Sequence, residues 1–99
     1  MSNDVIKLDY PLMEEMCRTF QKGVEQLENT LQEVQSIANT LEEGALLGQG
    51  GAAFTDALRS KLSPAIGRLT DKFKEMDQDV RYAMEQFRSE EDPGVAKTF

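Results

Sequence analysis

Gly44-Ala45-Leu46-Leu47-Gly48-Gln49-Gly50-Gly51 is the stretch on which the fold of this 99-residue chain turns. It holds four glycines in eight residues. Glycine enters the left-handed backbone region without a Cβ penalty, so it ends helices and makes turns. Apolar residues recur at helical spacing on both sides of the stretch. The chain therefore reads as helix, glycine turn, helix. A glycine-rich segment also invites a phosphate-binding reading, which needs G-x-x-x-x-G-K-[ST] after a strand or G-x-G-x-x-G inside a βαβ unit. Neither pattern is present and no strand precedes the glycines, so they read as a structural turn.

Ahead of the turn, Tyr10, Met13, Cys17, Phe20, Val24, Leu27, Leu31, Val34, Ala38, Leu41 and Ala45 alternate at spacings of three and four. This is an a/d seam sustained through five heptads, and period-two alternation is absent. Leu12, Met16 and Ile37 flank the seam and widen it. Glu14, Glu15, Arg18, Lys22, Glu25, Glu28 and Glu33 occupy the other faces. Asp9 followed by Pro11 suits a helix start: an acid at the cap, then a proline in the first turn, where a missing N–H does no harm.

After the turn, Phe54, Leu58, Leu62, Ile66, Leu69, Phe73, Met76, Val80, Ala83 and Phe87 mark a second helix. The first steps are four apart, then three and four alternate. The irregularity coincides with Ser63-Pro64, where a kink or short break is expected, with Ser63 as a cap for the restarted helix. Beyond Arg88 the pattern dissolves, and Pro93 stops any helix. The expected layout is a lead-in at 1–9, a helical hairpin at 10–91 and a tail at 92–99. Within the hairpin the helices cover about 10–43 and about 52–90, with the turn at 44–51 and the kink near Pro64. A short connection makes the helices antiparallel.

Composition narrows the function classes. Net charge is −7 and the isoelectric point is near 4.5. Such a chain repels phosphate backbones and anionic membrane surfaces. From Tyr10 to Glu43 seven acids face two bases, −5; from Ala52 to Arg88 six acids face seven bases, +1. The two arms are mildly complementary. No apolar run is long enough to span a membrane. The N-terminus lacks the basic and apolar regions of a Sec-type signal peptide, which leaves other export routes open.

Catalytic and metal chemistry finds little to work with. The chain has one cysteine, Cys17, and no histidine. That rules out an internal disulfide and a Cys/His zinc site within one chain. Cys17 lies on the apolar seam and reads as a core thiol, with an intermolecular disulfide as the alternative. The pairs Glu14/Glu15, Glu42/Glu43 and Glu90/Glu91 are neighbours in sequence and diverge on a helix, so they read as solvated faces. Met13, Met16, Met76 and Met84 lie on or beside the stripes as gap fillers, with adaptable partner contact as a second use. Neither an enzyme nor a cofactor is expected.

A lone hairpin buries only the strip where its helices touch. Full burial of a large apolar side chain yields about 1.5–3 kcal/mol, against on the order of 1.5 kcal/mol of ordering cost per residue. The widened stripes leave apolar surface that a second hairpin would cover in a four-helix bundle. A homodimer, or a heterodimer with a similar small helical protein, is the expectation.

The long acidic helix, the turn and a second helix opening with G-x-x-x-x-A-F resemble the WXG family, the ESAT-like small substrates of type VII secretion. The family turn reads Trp-x-Gly with an aromatic residue six places after the glycine. Here Gly48 precedes Phe54 by six and Ala53-Phe54 matches the usual ending, while Leu46 stands where the family has Trp. The family's secretion signal, Tyr-x-x-x-Asp/Glu, fails at Tyr82, because Gln86 follows four residues later. Phe87-Arg-Ser-Glu-Glu91, 41 residues after Leu46, has the shape with Phe for Tyr.

The resemblance covers about residues 6–91. It implies an all-α hairpin dimer, exported or escorting cargo, with a secretion ATPase or a larger toxin as further partners. It also implies a composite signal that sets Leu46 and Gly48 of one subunit near Phe87 and Glu91 of another. Localisation would be secreted or cell-surface after a cytoplasmic stage. A type III needle or chaperone component and a cytosolic coiled-coil adaptor are the competing readings.

Overall fold

A computed structural model describes residues 9–45 and 48–91, all helical apart from the helix ends and the turn. The lead-in at 1–8, Leu46-Leu47 and the tail at 92–99 lie outside the described residues. Helix α1 runs Tyr10–Thr40. The Asp9 carboxylate accepts from the Leu12 N–H at 3.1 Å and the Asp9 carbonyl from the Met13 N–H at 3.0 Å. With Pro11 in the first turn, these bonds fix where the helix starts. The chain then kinks within Leu41–Ala45, where Gly44 leaves helical torsions at φ 119°.

Helix α2 covers Gln49–Ala57 and α3 covers Ser63–Glu91. A π-helical stretch, Leu58–Leu62, joins them, so the whole second arm is one continuous rod. It runs back along α1 as an antiparallel hairpin, and the described residues contain no strand. Four contacts set the register from open end to tip: Tyr10 with Arg88, Cys17 with Asp77, Phe20 with Phe73 and Glu42 with Arg59.

Two local expectations need correction. The turn is shorter than 44–51, because α2 begins at Gln49 and takes in Gly50 and Gly51. Among the described residues, only Gly44 and Gly48 adopt positive φ. At Ser63-Pro64 there is neither a break nor a cap. Ser63 has helical torsions (φ −59°, ψ −47°), and its N–H donates to the Leu58 carbonyl five residues back. Pro64 has no N–H for the Ser60 carbonyl and its ring crowds that group. Widening the preceding turn makes room, so the irregularity lies one turn earlier as a π-bulge. The Ser63 hydroxyl is buried without a hydrogen-bond partner.

The core is one seam wide. Its buried apolar side chains are Cys17, Val34 and Ala38 on α1 and Ile66 and Met84 on α3. The buried Thr55 and Thr70 hydroxyls donate back to the Gly51 and Ile66 carbonyls at 2.9 and 2.8 Å, which satisfies them inside the seam. Phe20 and Phe73 pack edge to face, with ring centroids 5.8 Å apart.

Candidate interaction surface

Helix geometry sorts the surface into two edges. Successive residues sit about 100° apart, so a residue just before a seam position lies on one edge and a residue just after it on the other. On α1, Glu28 follows the seam residue Leu27; on α3, Lys74 follows Phe73. Their side chains meet at 3.6 Å, which fixes this as the edge the two arms share. Arg59 joins it nearer the tip, reaching Glu42 at 2.7 Å and Asn39 at 2.6 Å. The complementarity of the arms is realised here as cross-helix ion pairs.

The opposite edge carries the exposed apolar side chains, interspersed with the charged Glu33, Lys72 and Asp79, which also precede seam residues. Leu12, Met16 and Ile37 each precede a seam residue of α1. Leu69 precedes the buried Thr70, Met76 precedes Asp77, and Leu62 precedes Ser63. All six are exposed, from Met16 and Leu62 at 41 % to Leu12 at 54 %. Leu62, Leu69 and Met76 are seven apart and stack as a heptad row.

The expected seam therefore divides. Val34 and Ile66 are buried; Phe20, Val24, Leu27, Leu31, Leu41, Leu58, Phe73 and Val80 are half-buried; Leu62, Leu69 and Met76 are exposed. Gly23 was not among the expected contact residues, yet the Phe73 ring rests against it. A lone glycine inside a strong helical pattern is the signal that could have found it. Arg59 was also missed, because a charge partner seventeen residues away leaves no local spacing signal.

At the tip, Gly48 stands at φ 94° and caps α2 without a side chain, its carbonyl accepting from the Ala52 N–H at 3.0 Å. Phe54 is half-exposed, and Leu46 lies outside the described residues. An open groove of about 470 Å³ runs beside the turn, lined by Leu41, Glu42, Gly48, Thr55, Asp56 and Arg59. At the open end, Phe87 is half-buried and Arg88 stacks over Tyr10; α3 closes at Glu91. Gly48 and Phe87 thus sit at opposite ends of one chain, and a site containing both needs two subunits.

Cys17 is 2 % exposed, with its Sγ 3.9 Å from the Asp77 carbonyl oxygen. Burial pushes the thiol above its ordinary pKa, and Asp77 pushes it the same way. A thiol held protonated is a poor nucleophile. Among the described residues no group of three His, Cys, Asp or Glu side chains is placed to hold a metal. No helix among them is long and apolar enough to cross a membrane.

Residues 5–92 match the WXG100 family, described as proteins of 100 residues with WXG. The chain belongs to this ESAT-like family of type VII secretion substrates. Members are small secreted helical proteins that typically pair with similar small helical proteins. Searches of curated proteins and of solved structures gave no significant match.

Proposed function

We propose that this chain is exported by, or escorts cargo to, a type VII secretion system, and that it acts as a helix-helix dimer formed through its apolar edge. The observation that carries the dimer is the segregation of the two edges. Cross-helix ion pairs occupy one, and six exposed apolar side chains occupy the other. A second hairpin laid on those six side chains removes apolar area from water and leaves the cross-helix pairs Glu42–Arg59 and Glu28–Lys74 in solvent. The partner is a second copy or a similar small helical protein, and a secretion ATPase or a larger toxin would meet the dimer afterwards.

Export would use a composite signal, with Gly48 and the position of Leu46 supplied by one subunit and Phe87 and Glu91 by the other. The ends of the hairpin support this, because antiparallel pairing of two hairpins brings the tip of one to the open end of the other. Sedimentation of the purified protein at micromolar concentration tests the dimer. Twice the chain mass is expected, and a folded species of single-chain mass rejects it. Export of Phe87→Ala from a host with a type VII system tests the signal. Loss of export with unchanged folding is expected, and continued secretion removes Phe87 from the signal.

A further inference from the structure

We propose that Tyr10 and Arg88 form a clasp at the open end of the hairpin, and that Arg88 is a positioning residue for Phe87. The positioning part rests on the reading of Phe87 and Glu91 as an export segment; the clasp does not.

The Arg88 guanidinium carbon stands 4.7 Å from the centroid of the Tyr10 ring, inside the range of a cation–π contact. Tyr10 is a firm platform. It is the first residue of α1, and the Asp9 cap and Pro11 fix the turn that carries it. Met84, one turn before Arg88, is buried against α1 and brings the end of α3 alongside. Arg88 is also the basic residue of the last turn of α3, where the helix dipole favours a cation. Its charge is therefore well placed twice over.

The consequence for Phe87 is geometric. Phe87 and Arg88 are neighbours, about 100° apart around the helix axis. Arg88 follows the seam position and lies on the edge shared by Glu28 and Lys74; Phe87 is half-buried at the seam itself. Pinning Arg88 to Tyr10 fixes the rotation of this turn, and with it the direction in which Phe87 faces. Terminal helical turns otherwise open readily. The clasp thus holds an otherwise labile segment as ordered helix.

Amide hydrogen exchange on the full chain tests this with wild type, Tyr10→Leu, Tyr10→Phe and Arg88→Gln. An aromatic face is what the clasp needs, so Tyr10→Phe should exchange more slowly than Tyr10→Leu at residues 84–91. Tyr10→Leu and Arg88→Gln should exchange about two- to fivefold faster there than wild type, as expected for an exposed cation–π contact. Amides in the middle of α1 should stay unchanged in all four proteins. Unchanged exchange in Tyr10→Leu, or equal acceleration in Tyr10→Phe, overturns the clasp. Export of the same variants is then compared with that of Phe87→Ala. If exchange behaves as expected and Phe87→Ala is still secreted, the export reading fails and the link to Phe87 falls with it, while the clasp itself stands. If Phe87→Ala is retained and Tyr10→Leu is secreted as well as Tyr10→Phe, the positioning role is overturned.

Discussion

The ring of Phe73 lies on the bare Cα of Gly23, so that a β-carbon at position 23 would come within 2.5 Å of Cε2 and 2.6 Å of Cδ2. Phe20, one turn before Gly23, closes the same ring edge-on with the planes at 70°. The ring therefore sits in a notch of α1 and has little room to yield. In an ordinary helix interior Gly→Ala stabilises by roughly 0.5–1 kcal/mol. Here the sign should reverse, with Gly23→Ala costing about 1–3 kcal/mol through overpacking. In a Phe73→Ala background the notch is empty, and the same substitution should stabilise. A double-mutant cycle by chemical denaturation reads the coupling; a gain for Gly23→Ala in the wild-type background would refute the contact.

Gly48 raises a different kind of constraint. Its torsions, φ 94° and ψ −174°, fall in a region that belongs almost to glycine alone, while a β-carbon there would meet nothing within 4 Å. The penalty for Gly48→Ala is thus torsional and not steric, about 1–3 kcal/mol. Gly50 is equally open but lies inside α2, so Gly50→Ala should be neutral or stabilise by up to about 1 kcal/mol. Thermal melting of the two variants side by side checks this, and equal melting temperatures would contradict it.

The hairpin was legible because the three-four spacing from Tyr10 to Leu41 admits only one helical face, and because four glycines in eight residues end it. The spacing does not tell which glycines break the helix. Glycine is permissive, and the backbone used Gly44 and Gly48 while carrying Gly50 and Gly51 into α2. Pro64 signals a disturbance, but whether the chain breaks or widens depends on the packing of the turn before it. The run Phe54, Leu58, Leu62, Ile66 reads as one seam, yet the π-helical turn at Leu58–Leu62 interrupts the even rotation, so that Leu62 is exposed while Ile66 is buried. The Arg59 ion pair, the Gly23 notch and the Tyr10–Arg88 contact join residues far apart in sequence, so only the register of the two arms reveals them. The apolar edge was half visible: Leu12, Met16 and Ile37 stood out as flanking residues, but their continuity with Leu69 and Met76 depends on how the arms face each other.

Cys17 links stability to pH. Its pKa in the folded chain is raised above the ordinary 9.0, by burial first and by Asp77 next. The folded protein keeps the proton where the unfolded chain gives it up. The thiol's contribution is therefore whole below the ordinary value and falls as pH rises past it, with a slope of at most about 1.4 kcal/mol per pH unit. Other groups titrate in the same range, so the quantity to follow is the stability difference between wild type and Cys17→Ala. That difference should shrink as pH rises past the ordinary thiol value of 9.0. A constant difference through that rise would mean the thiol does not sense folding.

Leu69 and Tyr82 separate association from folding. Leu69 is 46 % exposed in the heptad row of the apolar edge, whereas Tyr82 is 66 % exposed and precedes the buried Met84 by two residues, which places it on the outer face. Leu69→Lys adds a charge whose burial at a dimer contact is costly, while in the single chain the lysine stem can lie along the surface with its ammonium in water. Chain stability should then change by about 0.5 kcal/mol or less, and the dimer dissociation constant should rise by roughly tenfold or more. Tyr82→Lys removes more exposed aromatic surface yet should leave association unchanged, since no paired hairpin reaches the outer face. Sedimentation equilibrium over a range of concentrations measures both constants. Equal weakening by the two substitutions would show that the partner does not use the apolar edge, and undiminished dimerisation of Leu69→Lys would place the contact elsewhere on the hairpin.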